Sequence, residues 1–495
     1  MLWDVNANTE TLLPDMPGQI VRVYPASGAN AMLPLTPANN YTPTILFCGG
    51  QTLEDSQWGN YSYPFVPTWL IPASSDCHRI TPEPTDGSSP DYVQDDSLPV
   101  GRTMGQFIAL PDGTFLILNG AQNGTAGYAK NILNVPTELM PYGESLASGP
   151  VGQPAIYNPN APAGSRWSTS GLSTSNIPRL YHSSALLLPD GSVMIAGSNP
   201  NIDVNLTTVF PTTYTAEYFY PPYFSANTRP VPQNIPTTLS YGSNYFDITI
   251  PPTSYSGAAN DAADNTTIWL IRPGFTTHAM NMGQRILQLN NTYTVESNGT
   301  IILHTSQLPP NPNLFQPGPA MLFVTIQGIP SNATFVTIGN GQVGTQPTSA
   351  VPVLPASVRV DSASGSAPSG PSNGNSSNSS HTGVIIGAVV AGIAAVGVLG
   401  AVLGISLARR RRSAATASSG ATYPTPGTSF GGFAGREMRS SDSSAFMPLQ
   451  QGNQSEAALH SPYRDQFDPR ASSQYVHSGE FESYGDYLHR SSTPR

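Results

Sequence analysis

GRTMGQFIALPDGTFLILNG at 101–120 and PRLYHSSALLLPDGSVMIAG at 178–197 follow one pattern. Each runs arginine (Arg102, Arg179), apolar strand, Leu-Pro-Asp-Gly turn, second strand, closing glycine. An Asp-Gly turn between two apolar runs is a hairpin signal, because the turn needs a residue at positive φ. VRVYPASGANAMLPL with TILFCGG, within 21–50, reads as an earlier copy with a longer connection. PAIYNPNAP (154–162) and TAEYFYPPYF (215–224) fit outer strands of the same units.

A hairpin repeated at several tens of residues predicts an all-β fold, here a partial Kelch-type β-propeller over 1–228. From Arg229 the repeat stops. TTLSYGSNYFDITIP, TTIWLIRPG and AMLFVTIQG read as the strands of an immunoglobulin-like β-sandwich over 229–347. Composition agrees: 46 Gly and 49 Pro with only 10 % charged residues exclude a long-helix or coiled-coil protein. A net charge of −10 excludes a nucleic-acid binder built on a basic face.

GVIIGAVVAGIAAVGVLGAVLGISLA at 383–408 carries no charge and is followed by Arg409 to Arg412. It is long enough to cross a bilayer, and the arginines predict a cytoplasmic C-terminal side. The expected order is therefore an extracellular region, a Ser/Gly/Asn-rich stalk at 348–382, one plasma-membrane span and a disordered tail at 409–495. Gly383, Gly387, Ala391 and the Gly400/Gly404 pair allow a helix–helix dimer. Ten Asn-x-Ser/Thr sequons, Asn40 to Asn378, all precede the span. Residues 1–18 contain no apolar signal core, which leads us to expect that a natural beginning is missing. Cys48 and Cys77 are either a disulfide formed outside the cell or two buried thiols. His78, beside Cys77 in a polar loop, and His304 read as packed or surface residues.

IPRLYHS (177–183), TTHAMN (276–281), FCGG (47–50), SDCHRI (75–80) and DVNANTETLLPDMP (4–17) together resemble the copper-radical oxidases. The glyoxal oxidases are the nearer branch and galactose oxidase a more distant one. The resemblance covers about 1–347. It implies one copper ion at the axis of a propeller, with a loop of the sandwich domain reaching into that axis. His182 and His278 would be the imidazole ligands, and Tyr181 the axial phenol that accepts a proton from substrate. Imidazole nitrogen with phenolate oxygen suits Cu(II). Successive strand side chains point to opposite faces, so Tyr181 and His182 can share a metal only if the backbone bends between them.

The resemblance further implies oxidation of small aldehydes or primary alcohols by O2, yielding H2O2, with a thioether-linked Cys–Tyr as the second redox centre. That radical cofactor has no counterpart here. Cys48 and Cys77 fit the family's disulfide, Met104 stands where the other copy has Tyr181, and no motif promotes Tyr128. The expectation is a membrane-anchored oxidase whose chain, as given, is inactive. A non-catalytic, glycosylated adhesion protein on a degenerate propeller is the alternative.

Overall fold

The computed structural model describes residues 1–54, 57, 66–129, 140–278 and 280–360, with the backbone of 446–448. Strands dominate them, and the one α-helix, Ala259–Asp264, has six residues.

Three four-stranded antiparallel sheets follow one another, each ordered as in the sequence. The first joins Ala29–Met32, Ile45–Cys48, Cys77–Ile80 and Tyr92–Gln94. The second joins Gln106–Ala109, Phe115–Leu118, Ala155–Tyr157 and Trp167–Ser168. The third joins Ser183–Leu187, Val193–Gly197, Glu217–Phe219 and Phe446–Pro448. The AIY and EYF segments are thus third strands rather than outermost ones.

The repeat seen in sequence is a repeat of hydrogen bonds. Asp112 Oδ1 accepts from the Thr114 amide (3.0 Å) and hydroxyl (2.6 Å). Asp190 Oδ1 does the same for Ser192, at 2.9 and 2.6 Å. Gly113 and Gly191 supply the positive φ, 84° and 86°. Here the Asp caps the turn by its side chain and the Gly relieves the Cβ clash, so neither is interchangeable.

The sandwich packs a six-stranded sheet, centred on Thr266–Arg272 and Gly318–Ile326, against Phe246–Ile250, Ile301–Thr305 and Asn291–Val295. TTIWLIR is buried on both faces, which explains its unbroken apolar run. Ile268 and Leu270 enter the sandwich core, while Trp269 and Ile271 face the other way. With Met321 and Phe323 they join the core of the second and third sheets around Phe107, Leu116 and Tyr223. Period-two alternation thereby sorts one strand between two cores.

Residues 348–360, expected to open the stalk, instead lie along the sandwich. The Val358 amide donates to Tyr293 O and its carbonyl accepts from Val295 N, both at 2.8 Å. Asn291–Val295 is an edge strand with open backbone groups, and this pairing satisfies them. No described helix is long and apolar enough to cross a membrane. The expected span at 383–408, the rest of the stalk and the tail outside 446–448 lie beyond the described residues.

Candidate metal centre

The first strands of all three sheets meet one hairpin of the sandwich domain. Phe275–Thr277 pairs with Met280–Met282, in contact with the strands at 29–32, 106–109 and 183–187. Side-chain amides hold it there. Asn281 Nδ2 and Gln284 Nε2 donate to Phe107 O at 3.2 and 3.0 Å, and Gln284 Oε1 accepts from Ala109 N at 2.9 Å. A Cβ on Gly274 would lie 2.4 Å from Asn281 Oδ1, so the hairpin enters through glycine. At its tip stands His278, with φ +53°. A left-handed non-glycine residue is uncommon, and such strain collects at functional sites.

The bend required between Tyr181 and His182 is present. His182 has φ +65°, which turns its ring onto that of Tyr181, centroids 3.8 Å apart and planes 28° apart. His278 lies 6.3 Å from His182 and 5.8 Å from Tyr181 by ring centroids. The structure therefore brings the three sequence-predicted residues to one place, at the meeting point of sheet and hairpin.

Their supports decide what they can do. Arg179, two residues before Tyr181, is buried against Glu217, with Nη2–Oε2 2.6 Å and Nε–Oε2 3.1 Å. It also donates to the carbonyls of Gly197 and Thr215, at 2.5 and 2.9 Å. His182 Nδ1 sits 3.0 Å from Asn199 O. A carbonyl only accepts, so Nδ1 carries the proton and Nε2 keeps its lone pair for a metal. His278 Nδ1 lies 2.8 Å from the Thr277 hydroxyl, again leaving Nε2 uncommitted.

Tyr181 is 7 % exposed, packed among Met104, Ala126, Ala147 and Phe210, whereas both histidines are exposed. Burial, and then donation of its hydroxyl to Tyr24 at 3.4 Å, push its ionisation well above the ordinary phenol value. A cation beside the oxygen is what would bring it down. Two imidazoles and a phenol match copper in donor chemistry. Among the described residues no group of three His, Cys, Asp or Glu could hold a metal.

Tyr24 is the residue that the sequence reading missed. Its ring is edge-on to His278 at 5.0 Å and 6.2 Å from Tyr181. Arg22-Val-Tyr24 has the spacing of Arg179-Leu-Tyr181, a signal in the sequence that could have pointed to it. Tyr128, 6.1 Å from Tyr181, is a second-layer neighbour of the site.

Cys48 and Cys77 are register partners on adjacent strands, joined by a disulfide and fully buried. They are the only cysteines of the chain. His78 lies in a buried strand, not in a loop, with Nδ1 2.7 Å from Asp76 Oδ1. His304 is likewise taken up between Asp247 Oδ1 (2.7 Å) and the Thr294 hydroxyl (2.9 Å). A groove of about 690 Å³ lies along Thr44, Arg79, Thr81 and Ser88, and none of the three site residues lines it.

Residues 2–223 match the family model described as glyoxal oxidase N-terminus, and 229–338 match the galactose oxidase-like early-set domain. These two stretches place the chain in the glyoxal oxidase and galactose oxidase-like family. Aldehyde oxidase GLOX of Vitis pseudoreticulata is 33 % identical over 322 residues, 64 % of this chain and 54 % of that protein. Aldehyde oxidase GLOX1 of Arabidopsis thaliana is 32 % identical over 337 residues, 66 % of this chain and 49 % of that protein. Galactose oxidase of Gibberella zeae is 29 % identical over 270 residues, 54 % of this chain and 34 % of that protein. The chain spans about half the length of the two plant relatives.

Proposed function

We propose that this chain is the copper-holding part of a membrane-anchored extracellular oxidase of the glyoxal oxidase type. The convergence of Tyr181, His182 and His278 carries the reading: one strand and one hairpin of different domains bring three donors together. The three sheets, their first strands gathered on that hairpin, are read as blades of a Kelch-type propeller.

Copper would be held by Nε2 of His182 and His278 and by the Tyr181 oxygen, and would supply one-electron redox chemistry to an alcohol or aldehyde. The overall change is RCH2OH + O2 → RCHO + H2O2, with two electrons and two protons passing from the carbinol to O2. An aldehyde reacts as its hydrate, yielding the acid and H2O2. Tyr181 would receive the substrate hydroxyl proton as a phenolate, a state that a bound cation beside its oxygen would favour against the burial that raises its ionisation. Copper accounts for one electron of the two. With both cysteines tied in a disulfide, no thiol of this chain is free for a thioether to tyrosine. Turnover by this chain alone is therefore expected to be absent, while copper binding is expected to be present. The test is to load the protein with Cu(II), record its electron paramagnetic resonance spectrum, and assay peroxide on methylglyoxal and on galactose. Nitrogen hyperfine structure lost in His182→Ala and His278→Ala supports the site; an unchanged spectrum refutes it.

Anchoring is proposed from 383–408. In a single-pass topology the pairing of 446–448 with 217–219 would put one strand on the wrong side of the bilayer. Magnitude decides between the two. A three-residue edge pairing adds little, whereas each Leu, Ile or Val favours insertion by roughly 0.3–0.6 kcal/mol. Protease treatment of intact cells should spare a C-terminal epitope; digestion of that epitope refutes the span.

A further inference from the structure

The chemistry above leaves Tyr24 without a task. Its hydroxyl lies 3.4 Å from that of Tyr181, and its ring stands edge-on to His278 with centroids 5.0 Å apart. Tyr181 is 7 % exposed and Tyr24 53 %. Beside the oxygen assigned to the substrate proton, it is therefore Tyr24 that opens to solvent. Its support matches that of Tyr181. Arg22 is buried on Asp76, with Nη2–Oδ1 2.5 Å, as Arg179 is on Glu217, so two Arg-x-Tyr segments anchored by their arginines bring their hydroxyls together. The Gly28 amide donates to Arg22 O at 2.9 Å and the Ser27 amide to Val23 O at 3.0 Å, which closes a tight loop around Tyr24. Neighbouring segments pin that loop. Ala126 N donates to Pro25 O at 2.8 Å, the Thr103 hydroxyl to Ala26 O at 2.6 Å and Met104 N to Ser27 O at 2.7 Å. A half-exposed phenol on a fixed loop is a hydrogen-bonding group already in place before a ligand arrives.

We propose that Tyr24 is a specificity residue: while Tyr181 takes one hydroxyl of the substrate, Tyr24 takes a second hydroxyl on the same carbon, so that the site prefers a hydrated aldehyde to the primary alcohol of the same body. The inference rests on the reading of Tyr181, His182 and His278 as the reacting centre. A hydrated aldehyde carries two hydroxyls on its reacting carbon, a primary alcohol one. The two phenol oxygens stand far enough apart for each to meet one of these hydroxyls at an ordinary O–H···O length of about 2.7–2.8 Å, and close enough for one molecule to meet both. A phenol donates and accepts, so Tyr24 serves the second hydroxyl in either sense. A primary alcohol leaves Tyr24 to water. No bond is made or broken at Tyr24; it orients the hydrate toward Tyr181.

The test uses the copper-loaded full chain in detergent under argon, with two fluorinated probes that differ by a single hydroxyl, trifluoroacetaldehyde hydrate and trifluoroethanol. Copper-induced fluorine relaxation reports the affinity of each. The hydrate is expected to bind roughly fivefold tighter, the worth of one hydrogen bond, and to lose that advantage in Tyr24→Phe, while trifluoroethanol binds the variant as it binds the parent. Equal affinities in the parent, an undiminished preference in Tyr24→Phe, or loss of both probes together in that variant overturns the proposal. Failure of the underlying site reading shows separately, as copper-induced relaxation of both probes that is indifferent to His182→Ala and His278→Ala.

Discussion

Arg102 and Arg179 occupy the same position in two copies of one repeat, yet their replacement by methionine should have very unequal consequences. Arg179 meets the carboxylate of Glu217 at 2.6 Å, with both side chains nearly inaccessible, at 3 % and 5 %. Without Arg179, Glu217 would remain buried with one described donor, the Ser175 hydroxyl at 2.8 Å. Breaking one side of a buried pair costs about 3–5 kcal/mol, because the other charge stays in a poor solvent. Arg102 is 1 % exposed and has no ion pair among the described residues. Its carbonyl contacts are long, 3.3 Å to Asn119 and 3.4 Å to Gln153, and its Nε has no partner. Burial pushes its pKa down to about 10, the sign of a charge held without compensation. Exchanging it for an apolar side chain of similar length should leave stability within about 1 kcal/mol of the parent. At 2–4 °C per kcal/mol, Arg179→Met should lower the calorimetric midpoint by on the order of 10 °C, against a few degrees or less for Arg102→Met. Adding Glu217→Gln to Arg179→Met should recover part of the loss, since the unpaired charge is gone. Equal shifts for the two arginine variants, or a larger one for Arg102→Met, would refute the assignment of the cost to Glu217.

Four further outcomes can be checked. Tyr24→Phe removes the acceptor of the Tyr181 hydroxyl, so the copper-bound phenolate band should appear at lower pH than in the parent; a band unmoved on pH titration contradicts the contact. Reducing the Cys48–Cys77 bridge, which spans 29 residues, should cost about 3.5 kcal/mol by chain entropy, measured by denaturant unfolding with and without reductant. Trp269→Ala should cost about 3–5 kcal/mol and split the calorimetric transition, since this side chain carries the sandwich strand 266–272 into the core of the other sheets. Burial pushes Tyr41 and Tyr241 up to about 12. The folded state then keeps protons that the unfolded chain releases near pH 10, so stability is whole below pH 10 and should fall as pH rises toward 12; a flat profile by circular dichroism across that range contradicts it.

Much of the fold was legible because β hairpins are local. The Asp-Gly turns, the two apolar runs around each and the break in pattern at Arg229 are set by neighbours in sequence, and the turn hydrogen bonds at Asp112 and Asp190 repeat accordingly. The histidines were legible by resemblance, and the required bend at His182 followed from strand geometry alone. Where the reading fell short, the missing information was long-range. The start of the stalk was misplaced because Val358 pairs with an edge strand some 60 residues away, and composition does not record an edge.

By itself, the sequence determined the all-β character, the repeat, the domain change near 229, the uncharged segment at 383–408 and the supply of only two cysteines. Tertiary structure decided that Tyr24 stands with Tyr181 and His278, and that Glu217 neutralises Arg179 while no described carboxylate pairs with Arg102. The physical reason is the same in each case. Turn and strand preferences act over a few residues, whereas the partner of a buried charge or of a ring is chosen by which sheets pack together.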